Sequence, residues 1–343
     1  MPALTSGKVL ATGANGYIAV WTIKKLLEAG FSVRGAVRSE KSFPYLKNLF
    51  KEHGDKFELV IVPDITADGA YDEAVKGVQG IVHMASPFHQ SAVEPSELID
   101  PAVKGTTSIL ASLLKYGTEV KRFILLSSIS CNIELWYPEP APVNTEENWN
   151  TGAVVAVNEK GKDASANEKY FASKILAEKA LWDFAAEHKG KVNFDVVSLN
   201  PALVIGPFLH DVATPQNLNF SIGAWFLYLV AGQAPKSELN TGFLNVDVRD
   251  VSDAFVRALQ VPEAGGERIT IHESSFIWQE YLNIAREIDP SLPAGDTDFD
   301  LSKAVYNLKF DNAKSRKLLG LTYIDKKTTA KDLLAQFKER GFY

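Results

Sequence analysis

Cysteine is nearly missing from these 343 residues: there is one, Cys131. That excludes an internal disulfide, and a single cysteine with six scattered histidines assembles no zinc cluster, so no metal is expected and the redox compartment is expected to be reducing. An excess of positive charge is also lacking. Against 36 Lys and Arg stand 42 Asp and Glu, a net charge of −6. No basic stretch is sustained enough to neutralise a run of phosphates, and nucleic acid is not an expected partner. Nor is there a long apolar run. The most lipid-like window, Ser221-Ile222-Gly223-Ala224-Trp225-Phe226-Leu227-Tyr228-Leu229-Val230-Ala231, is about half of the roughly 20 residues that span a bilayer. It reads as a buried helix, and no membrane partner is expected. The start, Met1-Pro2-Ala3-Leu4-Thr5-Ser6-Gly7-Lys8, lacks a charged opening followed by an apolar core, so the expected address is cytoplasmic. Fixed-period repeats and low-complexity tracts are missing too. What remains is ordinary globular composition, 46% hydrophobic and 23% charged, enough chain for one large domain or two interlocked ones.

Short apolar, β-branched runs recur at Lys8–Gly13, Ser32–Val37, Phe57–Val62, Gly80–Ala85, Arg122–Ser128 and Asp195–Pro201. Helical spacing separates them, as in Ala19-Val20, Ile23 and Leu26-Leu27 before Gly30, a residue suited to ending a helix. Strands apolar along their whole length need cover on both faces. The pattern therefore predicts an α/β fold, a doubly wound parallel sheet of the Rossmann type with right-handed crossovers. After Pro201 the rhythm gives way to turn-forming stretches, Pro207 to Asn219, Pro262 to Gly266 and Pro290 to Thr297, which predicts a second, smaller C-terminal lobe. The expected division is 1–205 plus about 243–262 for the dinucleotide-binding domain, with 206–242 and 263–343 forming mainly an interleaved substrate-binding lobe. The helix entry at Asp247-Val248-Arg249-Asp250 is expected to return the chain to the first lobe.

The first strand runs into Thr12-Gly13-Ala14-Asn15-Gly16-Tyr17-Ile18-Ala19. Gly13 permits a tight turn, Gly16 lets backbone N–H groups approach a pyrophosphate at the helix start, and Ala19 is small enough for close helix–strand packing. Gly13, Asn15, Gly16, Tyr17 and Ile18 are the candidate phosphate contacts. The second strand leads into Arg38, where an NAD-preferring site usually carries an acid for the ribose 2′-hydroxyl. A guanidinium there pairs with a 2′-phosphate, and Lys41 can add a second positive charge, so the expected cofactor is NADPH/NADP+. Asp64-Ile65 and Ala85-Ser86-Pro87 fall at the carboxyl edge of strands three and four, where open sheets bind ligands. Asp64 suits either an adenine amino group or a local Asx turn.

Tyr170 and Lys174 lie four apart in a long helical pattern, hence on one face, close enough for an ammonium to favour the phenolate and adjust the tyrosine for acid–base work. Together with the glycine turn and Ser127-Ser128 after strand five, the pair resembles the extended short-chain dehydrogenase/reductase superfamily over essentially the whole chain. The nearest branch is that of dihydroflavonol reductases and fungal NADPH-dependent carbonyl reductases of the methylglyoxal type. Further motifs that carry the resemblance are Ala85-Ser86-Pro87, Arg122-Phe123-Ile124-Leu125-Leu126-Ser127-Ser128, Asn200-Pro201-Ala202-Leu203-Val204-Ile205-Gly206-Pro207 and the stretch from Asp311 to Gly320.

The resemblance implies NADPH-dependent reduction of aldehydes or ketones to alcohols. Tyr170 would be the general acid and Ser128 the residue that polarises the carbonyl. Lys174 would tune Tyr170 and bind the nicotinamide ribose, with Pro201 to Val204 behind the nicotinamide. Where such proteins carry Asn-Val-x-Gly-Thr, this chain has Ala102-Val103-Lys104-Gly105-Thr106, so a relay through that asparagine is not implied. Residues beside the motifs, Phe88, Ile129, Ile133 and Trp225, Phe226 or Tyr228, are the expected pocket wall. Their apolar character suits a small carbonyl substrate with a hydrophobic substituent. Two other readings stand beside this one: a nucleotide-sugar epimerase or dehydratase of the same superfamily, which Arg38 disfavours, and an NADP-sensing binding module without chemistry, which the intact Tyr170 and Lys174 disfavour. The oligomeric state is expected to be monomer or homodimer.

Overall fold

In a computed structural model of the chain, which describes residues 3–86, 91–134 and 142–343, β1 (Lys8–Thr12) illustrates why the apolar runs need two covers. Val9 and Ala11 enter one buried cluster and Leu10 the other, as the twofold alternation of a strand dictates. The chain continues through α1 (Tyr17–Glu28), β2 (Ser32–Val37), α2 (Phe43–Leu49), β3 (Phe57–Ile61), β4 (Gly80–His83), α3 (Ser96–Tyr116) and β5 (Arg122–Leu126). Next come β6 (Val143–Asn144), α4 (Gly152–Lys160), α5 (Ala166–Glu187), β7 (Asp195–Pro201) and β8 (Leu203–Ile205). The remainder comprises α6 (Phe220–Leu229), α7 (Lys236–Leu239), β9 (Gly242–Asp247), α8 (Val248–Gln260), β10 (Arg268–Ile271) and β11 (Ser274–Ile277). It ends with α9 (Trp278–Ile288), β12 (Lys309–Phe310), α10 (Ala313–Leu319) and α11 (Lys326–Glu339).

Seven strands form one sheet in the order β3-β2-β1-β4-β5-β7-β10, every neighbouring pair parallel. Helices α1 and α8 pack together on one face, and α3 and α5 on the other. The six predicted strands are all present. The seventh, β10, pairs with β7, so residues 268–271 complete the first lobe and do not belong to the C-terminal one. Four residues between a Gly265-Gly266 turn and a second short strand give too brief an apolar run to be read as a sheet member. As expected, α8 returns to the sheet. Asp247 caps it, accepting from the Arg249 N–H, and also takes a hydrogen bond from Thr329 Oγ1 of α11.

The smaller lobe is built on a three-stranded sheet, β11-β9-β8, and an aromatic cluster in which Trp225, Phe276, Tyr281 and Phe337 are fully buried. Strand β8 follows β7 after one residue, so the smaller lobe grows directly from the carboxyl end of the main sheet. Among the described residues, no helix is long and apolar enough to cross a membrane.

Candidate active site

A cleft of about 740 Å³ opens at the carboxyl ends of the parallel strands, beside β1 and β4, where the strand order reverses. Its floor is the glycine turn. Gly13 has φ +65°, and a methyl group there would lie 3.1 Å from the Ala85 Cα, so both the conformation and the close approach of two backbones require glycine. Gly16 caps α1 without a side-chain hydrogen bond, and no acidic residue occupies the first turn, which leaves its N–H groups and dipole to an anion. Thr12 fixes the turn to the neighbouring strand: its Oγ1 accepts from the Met84 and Ala85 N–H groups at 2.9 and 3.0 Å. His83 beneath it is buried between Tyr71 and Phe123, and burial brings its pKa down to about 3. It is a neutral packing residue.

The turn, the two small residues Ala85 and Ser86, and the strand end Pro201–Val204 fit a dinucleotide. Gly13, Gly16, Tyr17, Ile18, Ser86, Lys174, Pro201 and Val204 all line the cleft. Tyr17 is also tied down, its hydroxyl donating to the Gly206 carbonyl at 2.8 Å. Asn15, Arg38 and Lys41 are exposed and lie outside the lining. Asp64 and Ile65 lie outside it as well. Asp64 is exposed and forms the Asx turn that the sequence left open, accepting from Thr66 N and Oγ1 at 2.8 and 2.7 Å, and those bonds hold its carboxyl below the usual range. Ile65 packs against Gly105 of α3. Pro87 and Phe88 lie outside the described residues.

Ser128, Tyr170 and Lys174 share one wall of the cleft. Tyr170 and Lys174 project from α5, whose start is fixed by a capping box between Ser165 and Glu168. Ser128 stands just past β5, where its Oγ accepts from the Ser130 N–H at 3.2 Å and lies close enough to the Tyr170 phenol to act on its proton. Lys174 Nζ has no hydrogen-bond partner among the described residues, so its donors are left for the cleft. The expected depression of the Tyr170 pKa is not found. Burial pushes the phenol up to about 12, the Ser128 hydroxyl opposes this, and Lys174 contributes nothing appreciable. Lys174 is itself desolvated and its pKa is lowered. Both charged forms are penalised by the same burial, which spacing along a helix cannot reveal. Ala102, at the asparagine position, borders a cavity of about 10 Å³ next to Lys174.

Several participants escaped sequence reading. Glu178, one turn beyond Lys174 and fully buried, accepts from Ser127 Oγ (2.6 Å), Ser198 Oγ (2.9 Å), Asn200 Nδ2 (2.8 Å) and Arg268 Nε (2.6 Å). Asn200 reaches onward to the Ser128 carbonyl at 3.1 Å, so a buried polar network underlies the serine. Burial alone would raise the Glu178 pKa, but the Arg268 charge and these hydrogen bonds outweigh it and leave it lowered. The two serines thus differ in surroundings, Ser127 bound to Glu178 and Ser128 facing the cleft with Tyr170. A Tyr-x-x-x-Lys-x-x-x-Glu spacing was the available signal.

The pocket wall is partly corrected. Ile129 and Ile133 line the cleft, but Trp225 and Phe226 do not. Trp225 is fully buried against Tyr281 and Phe337, and Phe226 packs edge-on against Phe337. The cleft face of α6 is instead Phe220, Ala224 and Tyr228, successive positions four apart, while Ile222, Trp225 and Leu229 form its core face. A helix apolar on nearly every side does not disclose its phase. The far wall, Phe243 and Trp278, comes from strands and helices of the smaller lobe.

A family model described as the NAD dependent epimerase/dehydratase family matches residues 9–271. The chain belongs to this family. Among curated relatives it is 36% identical to the ketoreductase AzaE of Aspergillus niger, over 97% of this chain and 98% of that one. It is 35% identical to the cinnamoyl-CoA reductase CAD2 of Medicago truncatula, over 97% and 96%. Among solved structures it is similar to the yeast methylglyoxal/isovaleraldehyde reductase Gre2 complexed with NADPH. That likeness has a TM-score of 0.87 at 30% identity, and it covers 98% of this chain and all of the other.

Proposed function

We propose that this chain is an NADPH-dependent reductase of small aldehydes or ketones, with Tyr170, Ser128 and Lys174 as its reacting wall. The observation that carries the reading is the Ser128–Tyr170 hydroxyl pair beside Lys174, in a cleft continuous with an uncapped helix start fit for a pyrophosphate. Full-length similarity to a ketoreductase and to an NADPH-complexed reductase supports it.

The glycine turn, Ser86, Lys174 and Pro201 to Val204 would hold the cofactor, and Arg38 with Lys41 would meet its 2′-phosphate. When bound, NADPH supplies a hydride to the carbonyl carbon. Ser128 Oγ donates a hydrogen bond to the carbonyl oxygen, which draws electron density from the carbon and stabilises the developing charge. Tyr170, held protonated across neutral pH by burial, gives its Oη proton to that oxygen. The products are an alcohol, NADP+ and a phenolate, to which solvent returns the proton. Arg38 favours this reading over an epimerase that keeps NAD, since an arginine at that position opposes recognition of an unphosphorylated ribose by an acid.

The test follows NADPH absorbance with a panel of aldehydes, diketones and aryl ketones, with NADH as control. Carbonyl-dependent oxidation is expected. Tyr170→Phe should reduce the rate by about a hundredfold or more, the usual worth of a positioned acid. NADPH binding without turnover of any carbonyl would overturn the reading in favour of a binding module. Turnover of nucleotide sugars alone would overturn it in favour of the epimerase.

A further inference from the structure

Lys169 precedes Tyr170 on α5 and lines the same cleft, yet only 5% of it is exposed. Its ammonium donates to the Lys162 carbonyl at 2.8 Å and, more weakly, to the Ala92 carbonyl at 3.4 Å. Among the described residues it forms no ion pair. The adjacent Glu168 is bound to Lys160 at 2.6 Å and to the Ser165 N–H. Of the carboxylates that line the cleft, Glu134 accepts from the Gly152 N–H and Glu238 from the Tyr228 hydroxyl. Carbonyl oxygens orient an ammonium but do not neutralise it, and a buried charge without a counter-charge is costly unless something supplies one.

The start of α5 adds to the same sign. Ala166 and Asn167, its first two residues, also line the cleft, and N–H groups at those positions have no partner within their own helix. The cleft that holds Tyr170 is thus also lined by a buried cation and by the first two residues of a 22-residue helix, whose acid at the third position, Glu168, is taken up by Lys160 and the cap. Much of the remaining lining, Leu98, Ile133, Phe171, Phe220 and Phe243 among it, is apolar, with Ser130, Asn219, Ser221 and Thr241 as uncharged polar groups beside the two carboxylates named above.

We propose that the substrate is a keto acid: its carbonyl meets Ser128 and Tyr170, its carboxylate meets Lys169, and its apolar body occupies the rest of the cleft. This rests on the reductase reading above and refines the substrate class within it. The reduction is the same two-electron step, and the carboxylate is a handle that does not react.

Matched pairs of α-, β- and γ-keto acids and their methyl esters, bearing alkyl or aryl substituents, provide the test at saturating NADPH. The wild-type enzyme should turn over at least one acid with a kcat/KM about tenfold or more above that of its own ester. In Lys169→Met that acid-to-ester ratio should collapse by about tenfold, chiefly through KM, and Lys169→Arg should retain most of it. If every ester matches or exceeds its acid in the wild type, the proposal fails without recourse to any variant. An unchanged ratio in Lys169→Met, with the variant still stabilised by NADPH, also overturns it. Failure of the reductase reading is a different result: no acid, ester or simple aldehyde is reduced.

Discussion

Arg38 is one exposed side chain just past β2, and in the proposed reading the choice between two cofactors that differ by a single phosphate rests on it. A hydrogen bond to a charged group contributes about 1.5–3 kcal/mol, so Arg38→Glu should shift the NADPH-to-NADH ratio of kcat/KM by roughly tenfold to a hundredfold towards NADH. Steady-state kinetics with both cofactors measures this, and an unchanged ratio would assign the 2′-phosphate elsewhere. Tyr170 teaches the complementary lesson. Its identity was legible in the sequence, but the state of its proton was not, because burial rather than the neighbouring lysine sets its pKa. The outcome still suits reduction, since the acid must carry its proton at the moment the carbonyl oxygen needs it.

At the scale of elements, α5 is the organising piece: Tyr170, Lys174 and Glu178 lie four apart along one face, two in the cleft wall and one in the network below. Glu178 joins α5 to β5, β7 and β10 through Ser127, Ser198, Asn200 and Arg268. Breaking such a buried pair leaves Arg268 uncompensated, and Glu178→Gln should cost about 3 kcal/mol or more in denaturant unfolding. The sign of its pH dependence follows from the lowered pKa. A carboxyl with a folded-state pKa below its unfolded value contributes stability above the ordinary carboxylate range and loses it as pH falls through the folded value. The difference in stability between wild type and Glu178→Gln should therefore be full at neutral pH and shrink in acid. A difference that grows on acidification would contradict the ion pair.

Taken as a whole, the molecule places its cleft between the main sheet and the smaller lobe, with lining from β8, β9, α6 and α9 as well as from the glycine turn and α5. A ligand there contacts both lobes and binds only the folded chain. NADPH at about a hundred times its Kd should stabilise the protein by about 3 kcal/mol, seen as a rise of several degrees in Tm. NADH at the same concentration should give a smaller rise, and equal shifts would mean that the adenosine end makes no distinction.

The sequence by itself determined the doubly wound sheet, because apolar β-branched runs covered on both faces and separated by amphipathic helices admit few other solutions. It also determined the glycine turn and the placement of Tyr170 and Lys174 on one helix face, since both depend on neighbours within a few residues. Tertiary structure alone decided what depends on distant partners. It placed Arg268 beneath Glu178, ninety residues away in the chain, and turned Trp225 into the core and Tyr228 into the cleft. It also buried Lys169 in the wall of the same cleft, with no ion-pair partner among the described residues. Burial and electrostatic partnership are properties of the packed interior, and no local periodicity encodes them.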